Sequence, residues 1–160
     1  MDRFNLEEAR RNPTGMPDAE ASAQAEEYLQ KCIENQDSAG GVVSCKVHGM
    51  PAGIGEPVFD KLDACLGQAV MSIGAVKAFA VGDGCEVSKK NGSTNNDAFC
   101  NVNGQISKKT NHAGGILGGI SDGSDIILRA YFKPTPSIYQ KQQTVNQAGE
   151  EIEIQIKGRH

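Results

Sequence analysis

Phosphate recognition is the first chemistry that the residue types raise. Gly114-Gly115-Ile116-Leu117-Gly118-Gly119-Ile120-Ser121 has the glycine spacing and the final hydroxyl of a phosphate-cradling loop. Ile120 stands where the lysine of such a loop should be, and an alkyl chain offers a phosphate no charge. Gly53-Ile54-Gly55 lies between a strand pattern and a helix pattern, as a dinucleotide turn would. Its third glycine is replaced by Val58, which bars the close helix–strand approach. The glycine pairs let the backbone approach either a bulky ligand or another strand, and close packing is the reading they favour on their own. Lys133 and Arg159 each follow a strand pattern. Arginine presents a planar fork to phosphate or carboxylate, and lysine a point charge. His48, His112 and His160 stand apart, without a Ser/His/Asp or Cys/His arrangement. The five cysteines lack zinc or redox spacing and are odd in number; three of them sit in apolar patterns, where a free thiol behaves as a small hydrophobe, and the set reads as reduced, structural thiols.

The elements that must carry these residues alternate between helix and strand. A first helix is interrupted at Asn12–Pro17, and a second opens at Pro17-Asp18 with an acidic group at its positive end. Ala21, Ala25, Leu29, Cys32 and Ile33 give the second helix one apolar stripe. Val43, Cys45 and Val47 alternate with polar residues, as in a half-buried strand. A further helix is predicted from Pro57, with apolar positions at Val58, Leu62, Cys65, Leu66, Ala69, Val70 and Ile73 that suggest burial from two sides. Strands are predicted over 76–81 and 125–132, and a clean alternation of Ile152, Ile154 and Ile156 follows a turn at 146–149. Residues 82–123 are rich in Gly, Asn, Ser and Lys and lose periodicity, which predicts a long, partly mobile, functional loop region. Asn91-Gly92-Ser93 in that region reads as a plain turn. The class is α/β in the broad sense (α+β), with mostly antiparallel strands in one domain spanning 1–160.

Composition narrows the partners. The net charge of −4 offers no footprint for nucleic acid, and the pairs Lys89-Lys90 and Lys108-Lys109 read as solvated loop lysines. No apolar run is long enough to span a bilayer, and the polar start lacks a secretory leader, so the expected location is cytoplasmic.

Longer strings carry a family resemblance. Gly49-Met50-Pro51-Ala52-Gly53-Ile54-Gly55-Glu56-Pro57-Val58-Phe59-Asp60-Lys61-Leu62 resembles the central block of chorismate synthases. Met71–Lys77, Gly82-Asp83-Gly84, Asn95-Asn96-Asp97, Asn111–Ser121, Lys133-Pro134-Thr135 and Lys157–His160 are similar to further blocks of that family, in the same order. The departures are small: Pro136 replaces a serine, Ala78 a glycine and Cys85 a phenylalanine.

The resemblance implies an incomplete β-α-β sandwich and a lyase. That family converts 5-enolpyruvylshikimate-3-phosphate to chorismate and phosphate by 1,4-anti elimination. It requires reduced FMN (FMNH2) and assembles as a homotetramer. Gly74, Ala75 and Gly118 are expected to line the flavin site by backbone contact. Lys133, Pro134, Thr135, Pro136 and Ser137 would wrap the cofactor, with hydroxyl donors at Thr135 and Ser137. Lys133 and Arg159 would complement charge. No catalytic residue and no metal ligand is assigned, because the family's catalytic histidines belong to an N-terminal half that these strings do not include. The segment alone is therefore expected to be inactive. Whether the parent enzyme reduces its own flavin with NADP stays open, as do two other readings: a non-catalytic flavin- or phosphate-binding module, and a structural assembly module.

Overall fold

The computed structural model describes residues 4–158, which fall into two compact units. One comprises the residues up to Gly40 together with those from Pro134 onward; the other runs from Gly41 to Lys133.

In the first unit, helix α1 (Leu6–Arg11) starts at Asn5, whose side chain accepts from the Glu7 N–H. Helix α2 (Ala19–Glu34) is capped by Asp18, whose carboxylate accepts from the Ala21 N–H. Pro17 therefore lies before the cap, not inside the first turn. The stripe on α2 is only partly covered: Leu29 and Ile33 are exposed, and the residue it buries is Ser22, whose hydroxyl meets that of Thr14 and donates to the Glu26 carboxylate. The predicted C-terminal strand is present as β9 (Glu151–Gln155), antiparallel to β8 (Lys141–Val145). Strand β8, Lys-Gln-Gln-Thr-Val, has too little apolar alternation to be read from sequence.

The second unit is built on a three-stranded antiparallel sheet in the order β1 (Gly41–Val47), β7 (Ile126–Phe132), β2 (Val76–Val81). Strand β7 alternates buried Ile126, Leu128 and Ala130 with less covered neighbours, and helix α3 (Leu62–Met71) packs on β2. Ile116, Ile126 and Leu128 form the core, with Met50, Leu62, Leu66, Phe79 and Val81 against it.

Three expectations need correction here. Strand β1 is exposed at every position, because it is the outer strand and α3 lies over the opposite edge. Helix α3 begins at Leu62, not Pro57, because the Glu56 N–H reaches the Asp60 carbonyl and closes a turn around Pro57. It is covered on one side: Leu62 and Leu66 pack inward and Gly67 approaches the Phe79 ring, while Cys65 and Ala69 are exposed and Val58 and Ile73 lie outside the helix in the open. Residues 82–123, finally, are not structureless. They hold a 3-10 turn (Gly84–Lys89), helix α4 (Gly92–Asn95), the hairpin β3 (Phe99–Val102) with β4 (Gln105–Lys108), and the hairpin β5 (Ile116–Leu117) with β6 (Ile120–Ser121). Short elements built from glycine, asparagine and lysine leave no periodicity to read.

Candidate functional site

The segment after α3 turns sharply. Ala75 adopts φ +69°, a left-handed conformation that costs a non-glycine residue about 1 kcal/mol. Its carbonyl accepts the Lys133 N–H at 2.9 Å, one residue beyond the Val76–Phe132 pair of strands β2 and β7. Gly74, Ala75 and Lys133 are thus neighbours. A Cβ at Gly74 would meet nothing within 4 Å, so its backbone is open to an approaching ligand.

Gly118 lies elsewhere in this unit. The loop that resembles a phosphate cradle is a hairpin: Leu117 pairs with Ile120, and Gly118 and Gly119 form its two-residue turn at φ +60° and +86°. Positive φ at both positions is what a turn matching the twist of the strands needs. The Gly119 carbonyl accepts the Leu62 N–H at 2.7 Å, which seats the turn on the first residue of α3. Gly74 and Ala75 follow the other end of this ten-residue helix, about 15 Å along its axis. The candidate residues therefore mark the two ends of α3. Gly118, like Gly74, faces open space. The other near-match, Gly53-Ile54-Gly55, pairs with the same hairpin: Gly53 N–H meets the Ser121 carbonyl, and Ser121 N–H the Ile54 carbonyl. Gly55 serves packing, since a Cβ there would overlap the Gly119 carbonyl oxygen, whereas Gly53 is open.

Pro134, Thr135, Pro136 and Ser137 belong to the first unit. Pro134 has no N–H to continue a sheet, and the chain leaves the strand there. The Ser38 hydroxyl donates to the Thr135 carbonyl at 2.7 Å, and the Gln142 amide to the Pro136 carbonyl at 3.0 Å. Thr135 and Ser137 line a cavity of about 540 Å³ with Gln36, Asp37, Ser38 and Tyr139. Arg159 lies outside the described residues.

Two ionic clusters escaped the sequence reading. Lys108 is not a solvated loop lysine: its side chain is 3% exposed, and its ammonium meets Asp122 at 2.6 Å and Asp97 at 3.6 Å. Burial would raise the Asp97 carboxyl. The Thr110 hydroxyl, the Ala113 and His112 N–H groups and the Lys108 charge outweigh it and bring it down to about 2. Burial likewise works to raise Asp122, and the Lys108 hydrogen bond leads the opposing contacts that hold it below the usual range. Lys90, also read as solvated, pairs with Asp83, and His112 Nδ1 contacts the same carboxylate at 2.7 Å. The Lys90 hydrogen bond is the main cause that lowers the Asp83 carboxyl. His48, read as a surface residue, is exposed and meets Asp125 at 2.9 Å. Asp97 and His112 sit inside strings that carry the resemblance, but nothing in a string tells an inward side chain from an outward one. Among the described residues no group of His, Cys, Asp and Glu could hold a metal ion. No helix among them is long and apolar enough to cross a membrane.

The comparisons with known proteins agree with one another. A family model described as chorismate synthase matches residues 3–160. The chain is 63% identical over 150 residues to a chorismate synthase of Lachnoclostridium phytofermentans, covering 93% of this chain and 41% of that protein. It is 54% identical over 156 residues to a chorismate synthase of Archaeoglobus fulgidus, covering 97% and 43%. A crystal structure of chorismate synthase superposes with a TM-score of 0.77 at 30% identity, over 82% of this chain and 40% of that one. The chain thus spans about two fifths of the length of the curated relatives it matches. With the antiparallel sheets and the hairpin-borne glycine strings, these matches establish that the chain belongs to the chorismate synthase family.

Proposed function

We propose that this chain is a flavin-binding segment of a chorismate synthase, a carbon–oxygen lyase of aromatic amino acid biosynthesis. The parent enzyme would convert 5-enolpyruvylshikimate-3-phosphate to chorismate and phosphate by 1,4-anti elimination, as a cytoplasmic homotetramer. The segment alone would not turn over, since the family's catalytic histidines lie in strings that it does not contain.

The observation that carries this reading is the hydrogen bond from the Lys133 N–H to the Ala75 carbonyl. It joins two strings, far apart in sequence, that the family resemblance independently assigns to the flavin. The residues present also fit the group. Gly74 and Gly118 leave bare backbone facing open space, and Thr135 and Ser137, two hydroxyl residues, line a cavity. Such donors suit a polyol chain and a phosphate.

Bound reduced FMN would supply transient electron density to the departing allylic C–O bond. The residues of this chain would hold and orient it. Gly74, Ala75 and Gly118 would contact it through backbone; Lys133, with Arg159, would offset the negative charge of cofactor and substrate; Thr135 and Ser137 would donate hydrogen bonds to its oxygens.

Anaerobic titration of the chain with dithionite-reduced FMN, followed by flavin absorbance, tests the assignment. Saturable binding that weakens about tenfold in Lys133→Ala and in the double variant Thr135→Ala/Ser137→Ala is the expected result, one lost charged contact being worth about that factor. A wild-type chain that shows no saturable binding would overturn it.

A further inference from the structure

The buried ammonium of Lys108 has no part in the scheme above, yet it touches both feet of the hairpin that presents Gly118. Lys108 ends strand β4, and its Nζ lies 2.6 Å from Asp122 Oδ2 and 3.4 Å from Asn111 Oδ1. Asn111 Oδ1 also accepts the Gly115 N–H at 2.8 Å, and the Asn111 amide donates to the Asp125 carbonyl at 2.8 Å. The Asp122 N–H donates to the Gly115 carbonyl at 3.0 Å. Both hydrogen-bonding groups of Gly115 therefore end on residues that the same ammonium touches. Gly115 and Asp122 flank strands β5 and β6, which pair over only two residues each. So short a ladder cannot fix its own direction. The hairpin takes its orientation from its feet, from the bond between Gly119 and Leu62, and from the pairing of Ser121 with Gly53 and Ile54. Of these, only the feet hold both ends of the turn-bearing strands to one side chain.

The second carboxylate tells the same story. Asp97 accepts from the Thr110 hydroxyl at 2.6 Å, the His112 N–H at 2.7 Å and the Ala113 N–H at 2.9 Å, so it pins the backbone leading into Gly114. All three charged side chains are less than one-tenth exposed. Replacing buried ion clusters by apolar groups of similar volume is often neutral for stability, because desolvation offsets the attraction. A cluster of this kind inside a glycine hairpin is thus better explained by the single arrangement it selects than by the stability it adds.

We propose that Lys108 is a positioning residue, which sets the Gly118–Gly119 turn for cofactor contact by fixing Asn111 and Asp122 at the two feet of the hairpin. This rests on the reading of Gly118 as a flavin contact. It assigns the setting of that contact to a residue that never touches the cofactor.

The test compares the wild-type chain with K108M/D122N, which removes the ammonium together with the carboxylate 2.6 Å from it and leaves Asp97 its hydrogen bonds from Thr110, His112 and Ala113. The expected result is a cooperative unfolding midpoint within a few degrees of wild type, reduced-FMN affinity at least tenfold weaker, and bound-flavin absorbance shifted toward that of free flavin. A merely structural role would not move affinity and spectrum while stability stays. A folded K108M/D122N with wild-type affinity and spectrum would overturn the proposal. If that variant does not fold, K108Q, which keeps a donor for Asp122, is titrated instead and read by the same criteria; failure of both to fold would make Lys108 a determinant of stability and equally overturn it. A wild-type chain that binds no flavin sinks the flavin contact and leaves only the setting of the turn to be tested. Amide hydrogen exchange over 115–121 then decides: faster exchange in K108M/D122N upholds the positioning role, and unchanged protection refutes it.

Discussion

Gly82 and Gly114 are in backbone contact, so close that a Cβ on Gly114 would overlap the Gly82 nitrogen. A Cβ on Gly82 would in turn overlap the His112 carbonyl oxygen. The Gly82 N–H donates to the Ile127 carbonyl, the Ile127 N–H to the Gly114 carbonyl, and the Asp83 N–H to the His112 carbonyl. These bonds knit the chain beyond β2, the glycine hairpin and β7 together. Both glycines also take positive φ, +57° and +66°.

Alanine at Gly114 should therefore lower unfolding free energy by about 3 kcal/mol or more, through steric overlap added to backbone strain. Gly118→Ala shares the positive φ but meets open space, so it should cost only about 1 kcal/mol. Urea denaturation of the two variants separates the effects, and equal losses would show that the close approach carries no energy.

Asp97 gives the chain an acid limit. Its folded-state carboxyl lies at about 2, below the 3.8 of a free aspartate, so the folded state resists protonating it. A depressed value stabilises the fold above the unfolded value, and the contribution fades as pH falls from about 4 toward 2. The full contribution is on the order of 2 kcal/mol. Asp97→Asn should thus be less stable than wild type at pH 7, and the gap should close by pH 2. A gap independent of pH in denaturant titrations would show that charge at Asp97 is not what the fold uses.

Ala75 presents the opposite case to Gly114: a side chain where glycine would be easier. With φ +69°, Ala75→Gly relieves strain, and the variant should gain up to about 1 kcal/mol. The Lys133 N–H still finds the carbonyl, so flavin affinity should not suffer from loss of that bond. A destabilised Ala75→Gly in thermal melts would mean that the alanine methyl makes a contact worth more than the strain.

Strands β1, β2, β7 and β9 and the long helix were legible because they obey simple rules. Ile126, Leu128 and Ala130 alternate, and Asp18 stands where a helix needs an acceptor. What escaped reading shares one property. Lys90 and Lys108 sit in polar, aperiodic sequence, and only the return of the chain from residues 83, 97 and 122 buries them. Strand β8 is polar because it pairs with β9 with most of its residues open to solvent. At the candidate site the glycine strings were legible as strings. That they form a hairpin docked on α3, and that Ala75 meets Lys133, are long-range facts without local signature.

The cysteines close the comparison, because apolar patterning pointed to packed thiols and the structure opens most of them. All five are free; Cys45, Cys65 and Cys85 are exposed, while Cys32 and Cys100 are partly covered. Cys45 is open because β1 is an outer strand, and Cys65 because α3 is covered on its other side. Exposure governs how fast a thiol meets a bulky disulfide reagent when local charge is similar. Reaction with 5,5′-dithiobis(2-nitrobenzoate) under native conditions should show a fast phase of three thiols and a slower phase of two, all five reacting at once in denaturant. Cys45→Ser should remove one equivalent from the fast phase and leave the unfolding midpoint within about 0.5 kcal/mol of wild type, as for a surface substitution. If Cys45→Ser left the number of fast equivalents unchanged, β1 would have a cover over it in solution, and the reading of it as an open outer strand would fall.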